Sequence, residues 1–391
     1  MPTAVRELDL TGPLCDIEVP GSSRQCMVVL RWRRRVIGRL FMPVQQGRLP
    51  AHEIADAIKR TANLGALRSW FEDAISYDDR VVADPVPLTA SVAICTRDRP
   101  EDVRKALLAV SRLAHRSHEV IVVDNAPTSD ATQRVVEEFP AARYVCEPRP
   151  GLNAARNRAL REATGDIVAF TDDDAVVEPE WLDGLLANFA DSCVMCATGL
   201  TLPVELETEA QELFEEHCSF CRGFRRRMFD GQCDNPFAVG PVGAGANMAI
   251  RREGVALVGE FDERLDAGTP ARSGGDHEMF ARILCAGYRI AYDPAAVSWH
   301  RHRRTRAEVF DTVFGYGVGV YAMWTGLLLE KRELGVLRLA WSWFRHEHLP
   351  ALLSGWRATT RSDRTDLRRT ELRGCLHGPR AWLAARRART P

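Results

Sequence analysis

Net charge is what this 391-residue sequence has least of: 52 lysines and arginines stand against 53 aspartates and glutamates, leaving −1. A chain so balanced is no polyelectrolyte, and no nucleic acid is expected among its partners. An apolar N-terminal signal segment is also missing, which predicts a cytoplasmic protein. The eleven cysteines, an odd number spread over a long chain, then read as reduced thiols rather than a disulfide framework. No internal repeat is visible. What is present, 46% hydrophobic and 27% charged residues, fits a soluble globule with a sizeable core and excludes disorder, collagen or coiled coil as a global description.

Three segments follow from composition and pattern. Residues 1–85 read as a small module with one or two strands, as a hairpin, over Cys26–Phe41, then a helix from about His52 to Ile75. The polar run Tyr77–Arg80 closes that helix, and the two prolines from Asp84 onward mark a linker. Residues 90–305 alternate short apolar strands with amphipathic helices: strands at 91–95, 119–124, 143–146 and 167–171, helices opening near Pro100, Ser129, Asn153 and Pro179. That alternation predicts an α/β fold, a mostly parallel sheet with helices on both faces and ligands at the carboxyl ends of the strands.

Residues 306–391 read as a helical, arginine-rich extension. Ten arginines between 357 and 391 face only Asp363, Asp366 and Glu371. The plain reading of that tail is a solvated, partly helical end. The sharper one is attachment to an anionic membrane surface, each cation contributing about 1 kcal/mol. The stretch 312–329 carries no charge over 18 residues, the lower limit for a membrane span. Its glycines at 315, 317, 319 and 326 weaken an ordinary helix but are commoner in membrane helices. With Trp341, Trp343, Phe344 and Trp356 beyond it, buried or interfacial helices, peripheral at the cytoplasmic face, describe it better than a span.

The strongest chemical signal is Thr171-Asp172-Asp173-Asp174-Ala175 directly after an apolar strand. Three consecutive carboxylates repel one another, and a hard divalent cation shared with substrate phosphates relieves that repulsion. In extended backbone alternate residues share a face, so Asp172 and Asp174 point to one site and Asp173 turns aside.

Here the chain resembles the family 2 glycosyltransferases of GT-A fold, through landmarks in order over about 90–305. Val92-Ala-Ile-Cys-Thr-Arg-Asp-Arg-Pro100 resembles their first strand and nucleotide loop, and Val122-Val-Asp-Asn125 the second strand. Gly151-Leu-Asn-Ala-Ala-Arg-Asn157 resembles the segment before the fourth strand, and Asp172–Asp174 the metal-binding D-x-D. The resemblance implies a GT-A (Rossmann-like) fold, a nucleoside diphosphate sugar donor, UDP-sugar favoured, and a Mn2+ or Mg2+ cofactor. Asp174 is then the direct metal ligand and Asp172 is shared between ribose and metal. Asp124 reads the base, helped by main-chain groups at Thr96, and Arg156 contacts the nucleotide unless it forms a surface ion pair.

Ser273-Gly-Gly-Asp276-His-Glu-Met-Phe280 resembles the family's G-E-D-x-E/D motif at a helix start, with Gly275 where the family usually has glutamate. The resemblance makes Asp276 the base for the acceptor hydroxyl. An N-cap role is its bland alternative, and Glu278 is the fallback base. Ala296-Val-Ser-Trp-His300-Arg-His302 reads as a strand ending in histidines, and the family places a further metal ligand where His300 stands. His302 is the weaker candidate. Arginines 301, 303, 304 and 306 are phosphate contacts or a solvated loop. Gly243-Ala-Gly-Ala-Asn247-Met248 resembles the loop that approaches the donor sugar, with Asn247 as a sugar contact.

Two CxxC pairs, Cys193/Cys196 and Cys218/Cys221, approach zinc-ribbon spacing. A strand over the first pair would aim its thiols to opposite faces, so small buried hydrophobes are expected instead. The activity implied is inverting, metal-dependent transfer of a sugar to an acceptor hydroxyl by single displacement. The acceptor class stays open between a lipid-linked saccharide, a secondary metabolite and a peptide. A catalytically inactive sugar-nucleotide-binding module is the first rival, needing the aspartates at 172 and 174 but not Asp276. A sugar-nucleotide pyrophosphorylase needs a glycine-rich loop where Thr96–Pro100 has none, and a membrane adaptor built on the C-terminal third ranks last.

Overall fold

The computed structural model describes residues 2–19, 21–61, 88–115, 118–354 and 363–388. The N-terminal module holds β1 (Thr3–Asp9), β2 (Ile17–Glu18), β3 (Gln25–Trp32), β4 (Arg35–Pro43), β5 (Arg48–Leu49) and α1 (Ala51–Thr61). β3 and β4 form the expected antiparallel hairpin, and β1 adds in parallel to β3. The run Cys26–Leu30 is apolar throughout because both its faces are covered. Cys26, Val28 and Leu30 pack into the module's own core, whereas Met27 and Val29 pack on Leu200, Leu202, Leu206 and Val297 of the main domain. The expected helix beyond Thr61, the closing run 77–80 and the start of the linker at Asp84 lie outside the described residues.

The main domain begins with β6 (Ala90–Thr96), α2 (Pro100–Val110), β7 (His118–Asn125), α3 (Ala131–Glu137), β8 (Ala142–Glu147) and α4 (Leu152–Glu162). β9 (Ile167–Asp172), β10 (Ala175–Val177), α5 (Trp181–Leu186), β11 (Val194–Pro203) and α6 (Glu209–Cys218) follow. β12 (Arg227–Asp230), β13 (Asn247–Arg251), α7 (Val255–Val258), α8 (Gly275–Cys285) and β14 (Arg289–His300) complete it. The sheet order is β10-β14-β11-β13-β9-β6-β7-β8, with β12 beside β14. β9-β6-β7-β8 run parallel, as do β11 and β14, while β13 enters antiparallel between β9 and β11.

Every residue of β6 is buried, and its alternation feeds two cores. Ala93 and Cys95 pack on one face of the sheet, and Val92 and Ile94 on the other. The same register levels the strand ends: Thr96 pairs with Asp124 and Cys95 with Asp172, so the polar residues closing β6, β7 and β9 meet at one edge.

The C-terminal region comprises α9 (Arg306–Glu330), α10 (Gly335–Trp343), α11 (Leu349–Ser354) and α12 (Asp363–Ala388). Thr305 and Glu308 form a capping box that starts α9. α9 is long and apolar enough to cross a membrane by length and composition, yet half of its apolar window is buried inside the protein. Its glycines have a packing reason. A Cβ on Gly317 would collide with the carbonyl of Glu371, and one on Gly374 with that of Phe314, so glycine on both helices lets α9 and α12 touch backbone to backbone.

Candidate active site

β9 ends at Asp172 and β10 begins at Ala175, leaving Asp173 and Asp174 in the turn between them. Asp173 does turn aside: it accepts hydrogen bonds from Thr96 Oγ1 at 2.6 Å and Arg99 Nη1 at 3.1 Å. Thr96 thus supports the acidic turn with its side chain, leaving only its main chain for a nucleotide. Antiparallel pairing of β10 with β14 sets Ala175 opposite His300 and so carries the histidine to the acidic turn. Donor atoms of Asp172, Asp174 and His300 lie within 4.8 Å of one another, the one such metal-competent group among the described residues.

Burial, then the charge of Asp174, pushes the Asp172 carboxyl above its ordinary range. Burial opposes ionisation of Asp174 as well, but His300 at 3.2 Å, Arg303 at 3.3 Å and Arg99 at 3.4 Å prevail and hold it well below the usual carboxylate range. Two crowded carboxylates and an imidazole form an O,O,N donor set suited to Mn2+ or Mg2+, and the mutual repulsion of the aspartates is what such a cation would relieve.

Arg156 is neither on the surface nor free. Its Nη1 donates to Asp266 at 2.7 Å and Asn153 at 3.1 Å, and its guanidinium sits 5.5 Å from the Phe261 ring. Asp276 is the second residue of α8, after Gly274 in the cap position with φ 94°. Both carboxylate oxygens accept backbone amides, Oδ2 from Gly245 at 2.7 Å and Oδ1 from His277 at 2.8 Å. Burial disfavours its charge, yet His277, Arg156 and the two amides hold its pKa below the ordinary value. The bond to Gly245 crosses to the loop before β13, so Asp276 is more than an N-cap.

Two expectations need correction. Asn247 is not a sugar contact: its side chain is fully buried, accepts from Trp181 Nε1 at 2.8 Å and donates to the carbonyls of Leu200 and Ala296. It ties β13 to the sheet, and the backbone from Gly243 to Ala246 faces the cavity in its place. Glu278 is no reserve base, because it pairs with Arg282 at 2.7 Å and lines a separate cavity of about 210 Å3 with Asp262, Arg264 and Trp382. Asp124, at the end of β7, is fully buried; Oδ2 accepts from Tyr144 at 3.1 Å while Oδ1 has no partner. A buried acceptor left open is what a nucleobase N–H would satisfy.

The central cavity, about 540 Å3, brings together Asp172, His300, Arg156 and Asp276. Its opposite wall comes from the C-terminal region: Tyr316 and Val320 of α9, Trp343 of α10 and Glu371 of α12. Sequence reasoning missed this wall, as it missed Asp266, Arg272 and Arg99. Of the four arginines after His300 only Arg303 lines the cavity; Arg301 pairs with Asp102, Arg304 with Glu205 and Glu207, and Arg306 with Asp363. Cys196 is the expected buried hydrophobe, but Cys193 precedes β11 and is exposed.

Comparison with known proteins agrees with this geometry. The pre-mycofactocin glycosyltransferase of Mycobacterium tuberculosis is 28% identical over 237 residues, covering 59% of this chain and 46% of the relative, so the match spans about half of that protein's length. Glycosyltransferase AglE of Haloferax volcanii is 25% identical over 259 residues, covering 64% of this chain and 78% of its own. The succinoglycan biosynthesis protein ExoM of Rhizobium meliloti is 27% identical over 241 residues, covering 56% and 73%. Among solved structures, the mannosyltransferase PcManGT of Pyrobaculum calidifontis, in complex with GDP-Man and Mn2+, superposes with a TM-score of 0.50 at 20% identity, covering 80% of this chain and 94% of its own. Residues 91–256 match the model of glycosyl transferase family 2, so the chain carries a domain of that family.

Proposed function

We propose that this protein is an inverting glycosyltransferase that uses a divalent cation to move a sugar from a nucleoside diphosphate donor, UDP-sugar by preference, to an acceptor hydroxyl. The observation that carries the reading is the convergence of Asp172, His300 and Asp276 on one cavity, with Asp174 beside them. Asp172, Asp174 and His300 would hold Mn2+ or Mg2+, which supplies neutralisation of the diphosphate leaving group. Asp124 accepts from the base through its open Oδ1. Arg303, facing both Asp174 and the cavity, balances phosphate charge. Asp276 takes the acceptor proton as its oxygen attacks the anomeric carbon; the amides of Gly245 and His277 keep the carboxylate ionised and aimed. The test is a screen of UDP-, GDP- and dTDP-sugars with Mn2+, reading released nucleotide. Donor turnover by the parent and none by Asp276→Asn, which still binds donor, supports the reading; equal turnover by both overturns it.

The acceptor enters between the catalytic strand ends and the wall of α9, α10 and α12. α10 and the residue before it also expose Leu334, Leu337 and Trp341, at 69%, 52% and 62%, flanked by the exposed Arg338 and Arg345. That pairing of apolar and cationic side chains supports peripheral contact with an anionic membrane and favours a lipid-linked acceptor. The eleven free thiols support a cytoplasmic location. Pelleting with anionic but not neutral vesicles, lost in Leu337→Asp, is the expected result.

A further inference from the structure

His300 is gripped from the side away from Asp174. Its Nδ1 lies 3.3 Å from Nδ1 of His302, whose Nε2 lies 2.8 Å from Glu215 Oε2. Glu215, on α6, is buried, and its other oxygen accepts from Ser219 Oγ at 2.6 Å and pairs with Arg39. Arg39 belongs to β4 of the N-terminal module. Phe214 and Phe220 close on the two imidazoles, with ring centroids 4.6 Å from His302 and 5.1 Å from His300.

The direction of the protons along this chain follows from donor and acceptor chemistry. Glu215 already takes a hydroxyl proton and a guanidinium, so toward His302 it acts as an acceptor and the Nε2 of His302 is its N–H. The Nδ1 of His302 then carries a lone pair, which only an N–H can face. That N–H is the Nδ1–H of His300. The atom left to His300 is Nε2, and this is the one that lies 3.2 Å from Asp174. The opposite tautomer would set two lone pairs against each other in a buried pocket, at the cost of an unmade hydrogen bond.

We propose that Glu215 and His302 are positioning residues for the cation, holding His300 in the tautomer that presents Nε2 to it, and that Arg39 makes the N-terminal module the outer anchor of this chain. The proposal rests on the metal reading given above. It assigns a task to a module otherwise remote from the cavity. Other contacts already clamp that module to the same edge: Thr3 N donates to the Leu206 carbonyl at 2.8 Å, Arg31 pairs with Glu178, and Met27 and Val29 pack on Leu200 and Val297. Partners behind a metal-bound histidine ordinarily change affinity 10- to 100-fold.

The test titrates Mn2+ alone into the full chain, following free Mn2+ by electron paramagnetic resonance. His302→Leu and Glu215→Gln are expected to weaken Mn2+ by about 10- to 100-fold. His302→Asn, whose amide oxygen can still accept the Nδ1–H, is expected to recover most of the loss. Arg39→Ala, a change on a partly exposed side chain that leaves the domain core intact, is expected to weaken Mn2+ several-fold. Long-range 1H–15N spectra of the histidine-labelled chain with Mg2+ should show His300 as the Nδ1–H tautomer. A parent that takes up no Mn2+ removes the metal reading itself. A parent that binds, with all four variants matching it, or His300 found as the Nε2–H tautomer, overturns this proposal while leaving that reading in place.

Discussion

The two walls of the central cavity are built differently. One wall consists of strand ends, the turn after β9 and the start of α8, where Asp172, His300, Asp174 and Asp276 are held by sheet register, ion pairs and backbone amides. The other consists of helices, where Tyr316, Val320 and Trp343 are held by the packing of α9, α10 and α12. On the proposed reading the first wall would carry the donor chemistry. The second sets aromatic and apolar side chains beside the carboxylates of Asp311 and Glu371, and on the proposed reading it would shape the space for the acceptor. A rigid sheet edge fixes reacting groups well, and helix packing can be re-sized without disturbing them.

The largest expected effects break the first wall. Asp174→Ala should lower Mn2+-dependent donor affinity on the order of 100-fold, read by calorimetry. Asp276→Asn should leave that affinity in place and cut turnover by about 10^2- to 10^4-fold. Donor affinity and turnover falling together in Asp276→Asn would mean that the carboxylate holds the donor rather than the acceptor proton.

A break in the second wall should separate the two functions. Gly317→Val drives a branched side chain into the backbone of α12 and is expected to cost about 1–3 kcal/mol by overpacking. Its melting temperature should fall and transfer to the acceptor should fail, while Mn2+ uptake persists. Loss of Mn2+ uptake in that variant would show the walls to be one cooperative unit. A smaller change, Tyr316→Phe, removes a hydroxyl from the cavity wall. An acceptor KM raised about tenfold with unchanged donor KM is expected, as for one hydrogen bond.

The last expected effect is one of pH. Burial pushes the Glu371 carboxyl up to about 7, and its Oε2 is buried without a hydrogen-bond partner, with His348 Nδ1 3.9 Å away. A raised acid pKa means that the folded chain binds a proton the unfolded chain has already released. Stability therefore falls as pH climbs from the unfolded value of 4.5 toward 7, by roughly 3 kcal/mol at most, and stays lowered above it. Glu371→Gln should melt with the parent at pH 4.5 and above it at pH 8. Identical melting at both values would place Glu371 in water.

Legibility from the sequence divides along the same line. The acidic triplet and the apolar strand before it form a short local pattern legible in the sequence; Asp276 and His300 were marked by the family resemblance, and the structure brings both to the cavity that Asp172 lines. Asn247 was misassigned because its neighbours Gly243–Ala246 do face the cavity, whereas the strand alternation beginning at Asn247 turns its side chain inward. The glycines of 312–329 suggested a membrane, yet two helix backbones in contact require the same residues. Asp266, which pairs with Arg156, sits 110 residues away from it with no pattern around it to mark it.

The order of strands and helices, the two-faced burial of β6 and the gathering of carboxylates at the end of β9 were already determined by the sequence, because periodicity and like-charge repulsion act between near neighbours. Only the tertiary structure decided that α9, α10 and α12 would close the cavity and that Arg39, Glu215 and His302 would line up behind His300. Those meetings join segments far apart in the chain, and shape and hydrogen-bond direction, which leave no periodic trace, select them.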